Sequence, residues 1–201
     1  PTYAFAYMNR GGAYEELGDF DRAEQDQSEG IRLMPNSQSA YFSRARARGY
    51  KNDFDGAIAD LSTAIRLTSE GFLSSHCYHM RANLYLMKGE FDAAIADFTA
   101  IIEHTDGLIS AYMYRGYAKL QKRDFDGAIS DANTAIEIVS VLPAPYHTRA
   151  EAYAKKGEYA AAIADYEKYL ELGGGETDEN RGEIEGKIRD LKHKLEKQQK
   201  S

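Results

Sequence analysis

The stretch GEFDAAIAD, Gly89 to Asp97, decides how this chain reads. Near-copies of it, GDFDRAEQD, NDFDGAIAD, RDFDGAISD and GEYAAAIAD, begin at Gly18, Asn52, Arg123 and Gly157, so the five starts lie 34, 37, 34 and 34 residues apart. Self-similarity with a period of about 20–50 residues marks a stack of supersecondary units, none of which can bury its apolar face alone. A repeated unit, rather than one core of unrelated elements, is the first expectation.

A second block precedes each copy. Tyr7-x-x-Arg10-Gly11 and Tyr112-x-x-Arg115-Gly116 show it in full, and Tyr41-x-x-Arg44, Tyr78-x-x-Arg81 and Tyr146-x-x-Arg149 keep its first half. In both blocks apolar and small residues recur three and four apart, as in Tyr78, Ala82, Tyr85 and then Phe91, Ala94, Ile95, Phe98, Ile101. That spacing lines one face of a helix. Between the blocks stand Gly18, Gly89 and Gly157, suited to the left-handed residue that ends a helix. Each is followed by an acidic residue suited to start the next helix, Asp19, Glu90 or Glu158, and Asn52-Asp53 and Arg123-Asp124 occupy the same places. Each unit therefore reads as helix, tight turn, helix.

Period, hairpin and column residues together resemble the tetratricopeptide repeat family over about residues 4–176. The resemblance implies an all-α, right-handed superhelical solenoid of five tetratricopeptide-type helix pairs, at 4–37, 38–71, 75–108, 109–142 and 143–176, plus a C-terminal capping helix over 177–198. The chain departs from the family pattern in three columns: the frequent tryptophan is Tyr7, Tyr41, Tyr78, Tyr112 and Tyr146, the next, usually apolar position of the motif is arginine throughout, and the closing proline appears only as Pro35, with Ser69, Asp106, Ser140 and Gly174 in its place elsewhere. Three extra residues within 68–74 lengthen the connection between the second and third units. Gly173-Gly174-Gly175 should end the tenth helix, because glycine costs a helix about 1 kcal/mol per residue. Beyond it Ile184, Ile188, Leu191 and Leu195 share one face, as expected of a helix that covers the open side of a terminal hairpin. Only Pro1, Thr2 and Tyr3 precede the first unit, which therefore has no such cap and raises the expectation of truncation or of oligomeric contact there.

Arg10, Arg44, Arg81, Arg115 and Arg149 form one column, and Asp26, Asp60, Asp97, Asp131 and Asp165 another, sixteen residues later each time. One member on each helix of a hairpin predicts structural ion pairs that set the register between the helices. Carboxylates that repeat with the fold make no singular acid–base pair in a cleft, so no catalytic residue is expected. His76, Cys77 and His79 lack a fourth ligand, and helix geometry turns residues 76 and 77 about 100 degrees apart. Cys77 reads as a packed cysteine; neither metal nor cofactor is expected. There is no glycine-rich phosphate loop and no serine elbow.

A formal net charge of -7 argues against a nucleic-acid partner, which needs clustered Lys and Arg to displace counterions. No apolar run approaches the roughly 18–20 residues of a membrane-spanning helix, so no membrane insertion is expected. One cysteine cannot form an intramolecular disulfide, which leaves the compartment open.

In the family, the first helix of each hairpin lines a concave wall. The resemblance thus implies a peptide groove made of Phe5, Met8 and Asn9, then Phe42, Ser43 and Arg46, then His79, Met80 and Asn83, then Met113, Tyr114 and Tyr117, then His147 and Glu151. Met and aromatic side chains supply adaptable apolar contact, although the same stripe also suits filling between hairpins. Tetratricopeptide cochaperones that grip acidic heat-shock C-termini use Lys, Asn and Arg on this wall; here the matching positions are Met8, Gly12, Ser43, His76 and Met80, so an acidic heat-shock tail is not the expected ligand. The expected function is a non-catalytic scaffold that binds a partner peptide or protein segment through apolar anchors. Two alternatives stand beside it: a regulatory repeat domain cut from a larger enzyme, and a self-assembly module acting through the uncapped first hairpin.

Overall fold

The computed structural model describes residues 2–67, 72–104, 108–175 and 177–199, apart from the side chains of residues 2, 72–74, 178 and 179. Among these residues there are eleven α-helices and no strand. They divide into two compact units, Pro1–His104 and Thr105–Ser201. The first unit holds three hairpins: α1 (Thr2–Glu16) with α2 (Phe20–Leu33), α3 (Gln38–Tyr50) with α4 (Phe54–Leu67), and α5 (Phe72–Lys88) with α6 (Phe91–His104). Its hairpins meet through α2 against α3 and α4 against α5. The second unit holds α7 (Ile109–Gln121) with α8 (Phe125–Ile138) and α9 (Pro143–Lys156) with α10 (Tyr159–Glu171), joined through α8 against α9. It is closed by α11 (Asp178–Gln198), which packs on α10. The lengthened connection, residues 68–71, lies outside the described residues.

Every hairpin turns by the same device. One or two residues past the end of the first helix, the chain takes a left-handed conformation: Gly18 at φ 76, Gly89 at 74, Gly157 at 81, and, without a glycine, Asn52 at 62 and Arg123 at 66. The next amide then reaches five residues back, as Asp19 N to Tyr14 O at 2.9 Å, Glu90 N to Tyr85 O at 2.8 Å and Asp124 N to Lys119 O at 2.9 Å, which satisfies carbonyls the ended helix leaves open. The aspartates then cap the second helix: Asp19, Asp53 and Asp124 accept from the amides of Arg22, Gly56 and Gly127 at 3.0–3.1 Å. Glu158 stands in the same place and makes no such cap bond. Its carboxylate, one methylene farther out, pairs with Lys156 at 2.9 Å instead, as Glu90 pairs with Lys88.

The cores are built from alanine and a few large side chains. In the first unit Ala45, Ala57, Ala64, Leu61, Cys77 and Leu84 pack together. In the second, Tyr166 and Ile163 pack against Ile184, Ile188 and Leu191 of α11, with Leu195 at the margin. Burial removes apolar surface from water at about 25 cal/mol per Å². A helix of low overall hydropathy is thereby held by one narrow apolar stripe.

Candidate functional site

The arginine and aspartate columns meet in every hairpin with one geometry. Arg Nε and Nη2 donate to the two carboxylate oxygens of the aspartate sixteen residues on, at 2.7–2.9 Å for Arg10–Asp26, Arg44–Asp60, Arg81–Asp97, Arg115–Asp131 and Arg149–Asp165. The forked contact fixes distance and angle at once, which a lysine cannot do. Hydrogen bonding to the aspartate holds Arg44 and Arg149 above the ordinary guanidinium range. Each arginine also lies over the tyrosine three residues before it, at 5.4–5.7 Å from the ring centre. These tyrosine and arginine columns, replacing the tryptophan and apolar columns of the motif, act as a stacked pair.

A third column escaped the reading of charged residues. The remaining Nη1 of Arg44 donates to Ser28 Oγ at 3.1 Å, that of Arg81 to Ser62 Oγ at 2.7 Å, and that of Arg149 to Asn133 Oδ1 at 2.5 Å. Each acceptor lies on the second helix of the hairpin before. Ser28, Ser62 and Asn133 follow the repeat spacing with Thr99 between them, and that regularity was the available signal. Lysines add an outer rung between hairpins: Lys51 to Asp21 and Glu24, Lys88 to Asp55, and Lys156 to Asp126, at 2.6–2.9 Å.

The residues expected to line a groove fall into three kinds. Met8, Phe42 and Met80 are half-buried and take part in packing: a Cβ on Gly30 would meet Met8 Cγ, and Phe42 and Met80 border the core around Leu61. Polar members are tied to neighbours. Arg46 pairs with Glu15 at 2.8 Å, and Asn83 Nδ2 lies 3.1 Å from His79 Nδ1. Burial pushes Glu15 up, an effect Arg46 only partly offsets. Burial also lowers His79, and His76 lowers it further, so its imidazole is held toward the neutral form. The third kind is open: Phe5 is 50% exposed, Tyr114 41% and Tyr117 44%, with Asn9 exposed and Ser43 and Met113 half-buried.

His147 and Glu151 stand apart, because α11 lies against them. Glu151 Oε1 accepts from Tyr166 Oη at 2.6 Å and from Lys187 Nζ at 2.8 Å, with His147 Nε2 4.0 Å away. Burial raises Glu151, but hydrogen bonds from Lys187 and Tyr166 and the nearby charges more than reverse it, leaving the carboxyl below its usual range. His147 meets Tyr166 edge-on at 5.8 Å and Tyr169 at 5.1 Å, and burial lowers its pKa. Cys77 is fully buried, and burial pushes its thiol up to about 11, far from the thiolate that nucleophilic or metal chemistry requires.

Comparison with known proteins agrees with this architecture. Two family models, both described as tetratricopeptide repeat, match residues 79–141 in one case and 6–37 and 144–172 in the other, together more than half of the chain. No curated protein sequence matches it. Among solved structures, the MamA protein is 22% identical with a TM-score of 0.79, covering 85% of this chain and 92% of its own. A tetratricopeptide repeat protein from Parabacteroides merdae is 16% identical with a TM-score of 0.81, covering 98% of this chain and 79% of its own. YrrB, described as a tetratricopeptide protein with an unusual peptide-binding site, is 16% identical with a TM-score of 0.75, covering 84% of this chain and 86% of its own. With five Arg–Asp clamped hairpins and these matches, the chain belongs to the tetratricopeptide repeat family.

Proposed function

We propose that the protein is a protein–protein interaction scaffold that holds a segment of a partner polypeptide against the exposed faces of the first helices of its hairpins. The observation that carries this reading is the pair Tyr114 and Tyr117 on α7, two large aromatic side chains left more than two-fifths exposed. The repeat does not demand them: the same two positions are Asn9 and Gly12, Ser43 and Arg46, Met80 and Asn83, and Thr148 and Glu151 in the other hairpins. Aromatic side chains give large contact area for little lost rotamer freedom and dominate binding energy where they occur at interfaces. With Met113 beside them and a negative net charge overall, the favoured ligand is an apolar or mixed segment rather than an acidic tail.

The test is a peptide-display selection on the immobilised chain, followed by titration of the selected peptides against Tyr114→Ala/Tyr117→Ala. Affinity should fall roughly tenfold or more while the thermal melting of the protein is unchanged. Equal affinity for the folded double variant refutes the assignment.

A further inference from the structure

Two buried acceptors in the first unit have no hydrogen-bond donor among the described residues: Glu15 Oε1 and Gln27 Oε1. Gln27 is 2% exposed and the Glu15 side chain 8%. The framework asks for neither. In the other hairpins the Glu15 position is Gly49, Leu86, Leu120 and Ala154, and the Gln27 position is Leu61, Phe98, Ala132 and Tyr166. The one polar atom in that set, the Tyr166 hydroxyl, does have its partner, Glu151. An unmet buried acceptor is a standing cost to a fold. Two of them, in places where the repeat uses glycine or an apolar or aromatic side chain, point to a donor that the hairpins themselves do not supply.

Both belong to the seam between the first and second hairpins. The helix that carries Gln27, α2, packs on α1 and on α3. Gln27 Nε2 donates to the Met8 carbonyl oxygen at 3.0 Å, which fixes the amide, since reversing it would set its oxygen against that carbonyl. The sulfur of Met8 accepts from Ser37 Oγ at 3.8 Å, at the head of α3, and gives the seam an apolar side. From α3, Arg46 brings Nε to 2.8 Å from Glu15 Oε1, yet off the line that a hydrogen bond needs, and its side chain stays 46% exposed. Arg46 thus offsets the charge without meeting the oxygen.

We propose that Glu15 and Gln27 receive the side-chain ammonium of a lysine from a bound polypeptide segment, in the seam between the first and second hairpins. A site with acceptors to spare suits a group that only donates; a carboxamide would bring a further carbonyl oxygen with it. Arg46, nearly half exposed, can yield its place to the incoming cation and keep its own charge in water. The chain already holds one such arrangement: Lys187 of α11 donates Nζ to Glu151 at 2.8 Å, beside Tyr166, the counterpart of Gln27. A net charge of -7 draws a cationic segment toward the protein. The site is separate from Tyr114 and Tyr117, which belong to the other unit, and does not rest on them.

The probe is N-acetyl-lysine methylamide, titrated into the nitrogen-15-labelled full chain and read at the Gln27 side-chain amide and the Arg46 Nε–H resonances. Both should move saturably, and the norleucine analogue, which lacks the ammonium, should bind roughly tenfold more weakly or not at all. Glu15→Gln keeps the shape and removes the charge, and should weaken lysine binding roughly tenfold. Gln27→Leu, which installs the residue of the second hairpin, should weaken it several-fold, read at Arg46, while the melting temperature holds or rises because an unmet acceptor has gone. A response equal to that of the norleucine analogue overturns the proposal, as does undiminished lysine binding by the folded Glu15→Gln chain. So does a Gln27 amide that contacts a long-lived water and is unmoved by lysine, because water is then the occupant.

Discussion

Arg81 Nη1 donates to Ser62 Oγ at 2.7 Å, so a side chain that clamps its own hairpin through Asp97 also reaches the helix before it. Ser62→Ala leaves a largely buried guanidinium donor without its acceptor and should cost about 1–3 kcal/mol. Asp97→Asn strips the counter-charge from the same guanidinium and should cost more, about 3–5 kcal/mol. Urea denaturation of the two variants gives the order; equal losses would show that the link between hairpins matters as much as the clamp within one.

Arg123 adopts a left-handed conformation at φ 66 with its side chain exposed. A residue with a Cβ pays about 1–2 kcal/mol there, partly balanced by the greater freedom that glycine loses on folding. Arg123→Gly should therefore stabilise the chain by about 0.5–1 kcal/mol, read as a rise in melting temperature. The reverse change, Gly157→Arg at φ 81, should lower it.

Neighbouring glycines on α1 should respond with opposite signs to the same substitution. A Cβ on Gly12 meets nothing within 4 Å, so Gly12→Ala should stabilise by about 0.5–1 kcal/mol through helix propensity alone. A Cβ on Gly11 would sit 2.8 Å from Gln27 Nε2, 3.2 Å from Asp26 Cβ and 3.3 Å from the Ala23 carbonyl oxygen. Gly11→Ala should push α1 off α2 and cost about 1–3 kcal/mol. Thermal melting of the two variants checks the sign.

Glu151 gives the closing helix a pH dependence. Its carboxyl is held below the usual range in the folded chain, so the stabilisation it provides is present above the ordinary glutamate value of about 4.3 and is lost as pH falls through the lower folded value. Glu151→Gln keeps the shape and removes the charge that Lys187 and Tyr166 meet. At pH 7 it should be less stable than the wild type by about 1–2 kcal/mol, and the difference should close as pH falls through the depressed folded value. Parallel melts by circular dichroism across that range decide it; a gap that persists in acid would count against the linkage.

The helices and their pairing were legible because the framework repeats: a column such as Arg44, Arg81 and Arg149 states its partner once and then restates it. The serine and asparagine acceptors obey the same period, but Ser28 and Asn133 are neither charged nor apolar, and a reading keyed to those properties passes over them. The surroundings of His147 and Glu151 were not legible. Lys187 lies 36 residues beyond Glu151, outside the repeat, and which face of α9 it reaches depends on how α11 settles on Ile163 and Tyr166. Met8 and Met80 look alike in an alternation of polar and apolar residues whether they face a ligand or a neighbouring helix, and only packing tells the two apart.

The guanidiniums that answer to three helices at once have a mechanical consequence. Loosening any one element withdraws a hydrogen-bonding partner from the next, so disorder spreads from neighbour to neighbour along a unit like a run in knitted fabric. In the first unit that run has a natural starting stitch, because among the described residues Arg10 hydrogen-bonds only within its own hairpin, to Asp26. Amide exchange should accordingly be quickest in α1 and slow toward α4.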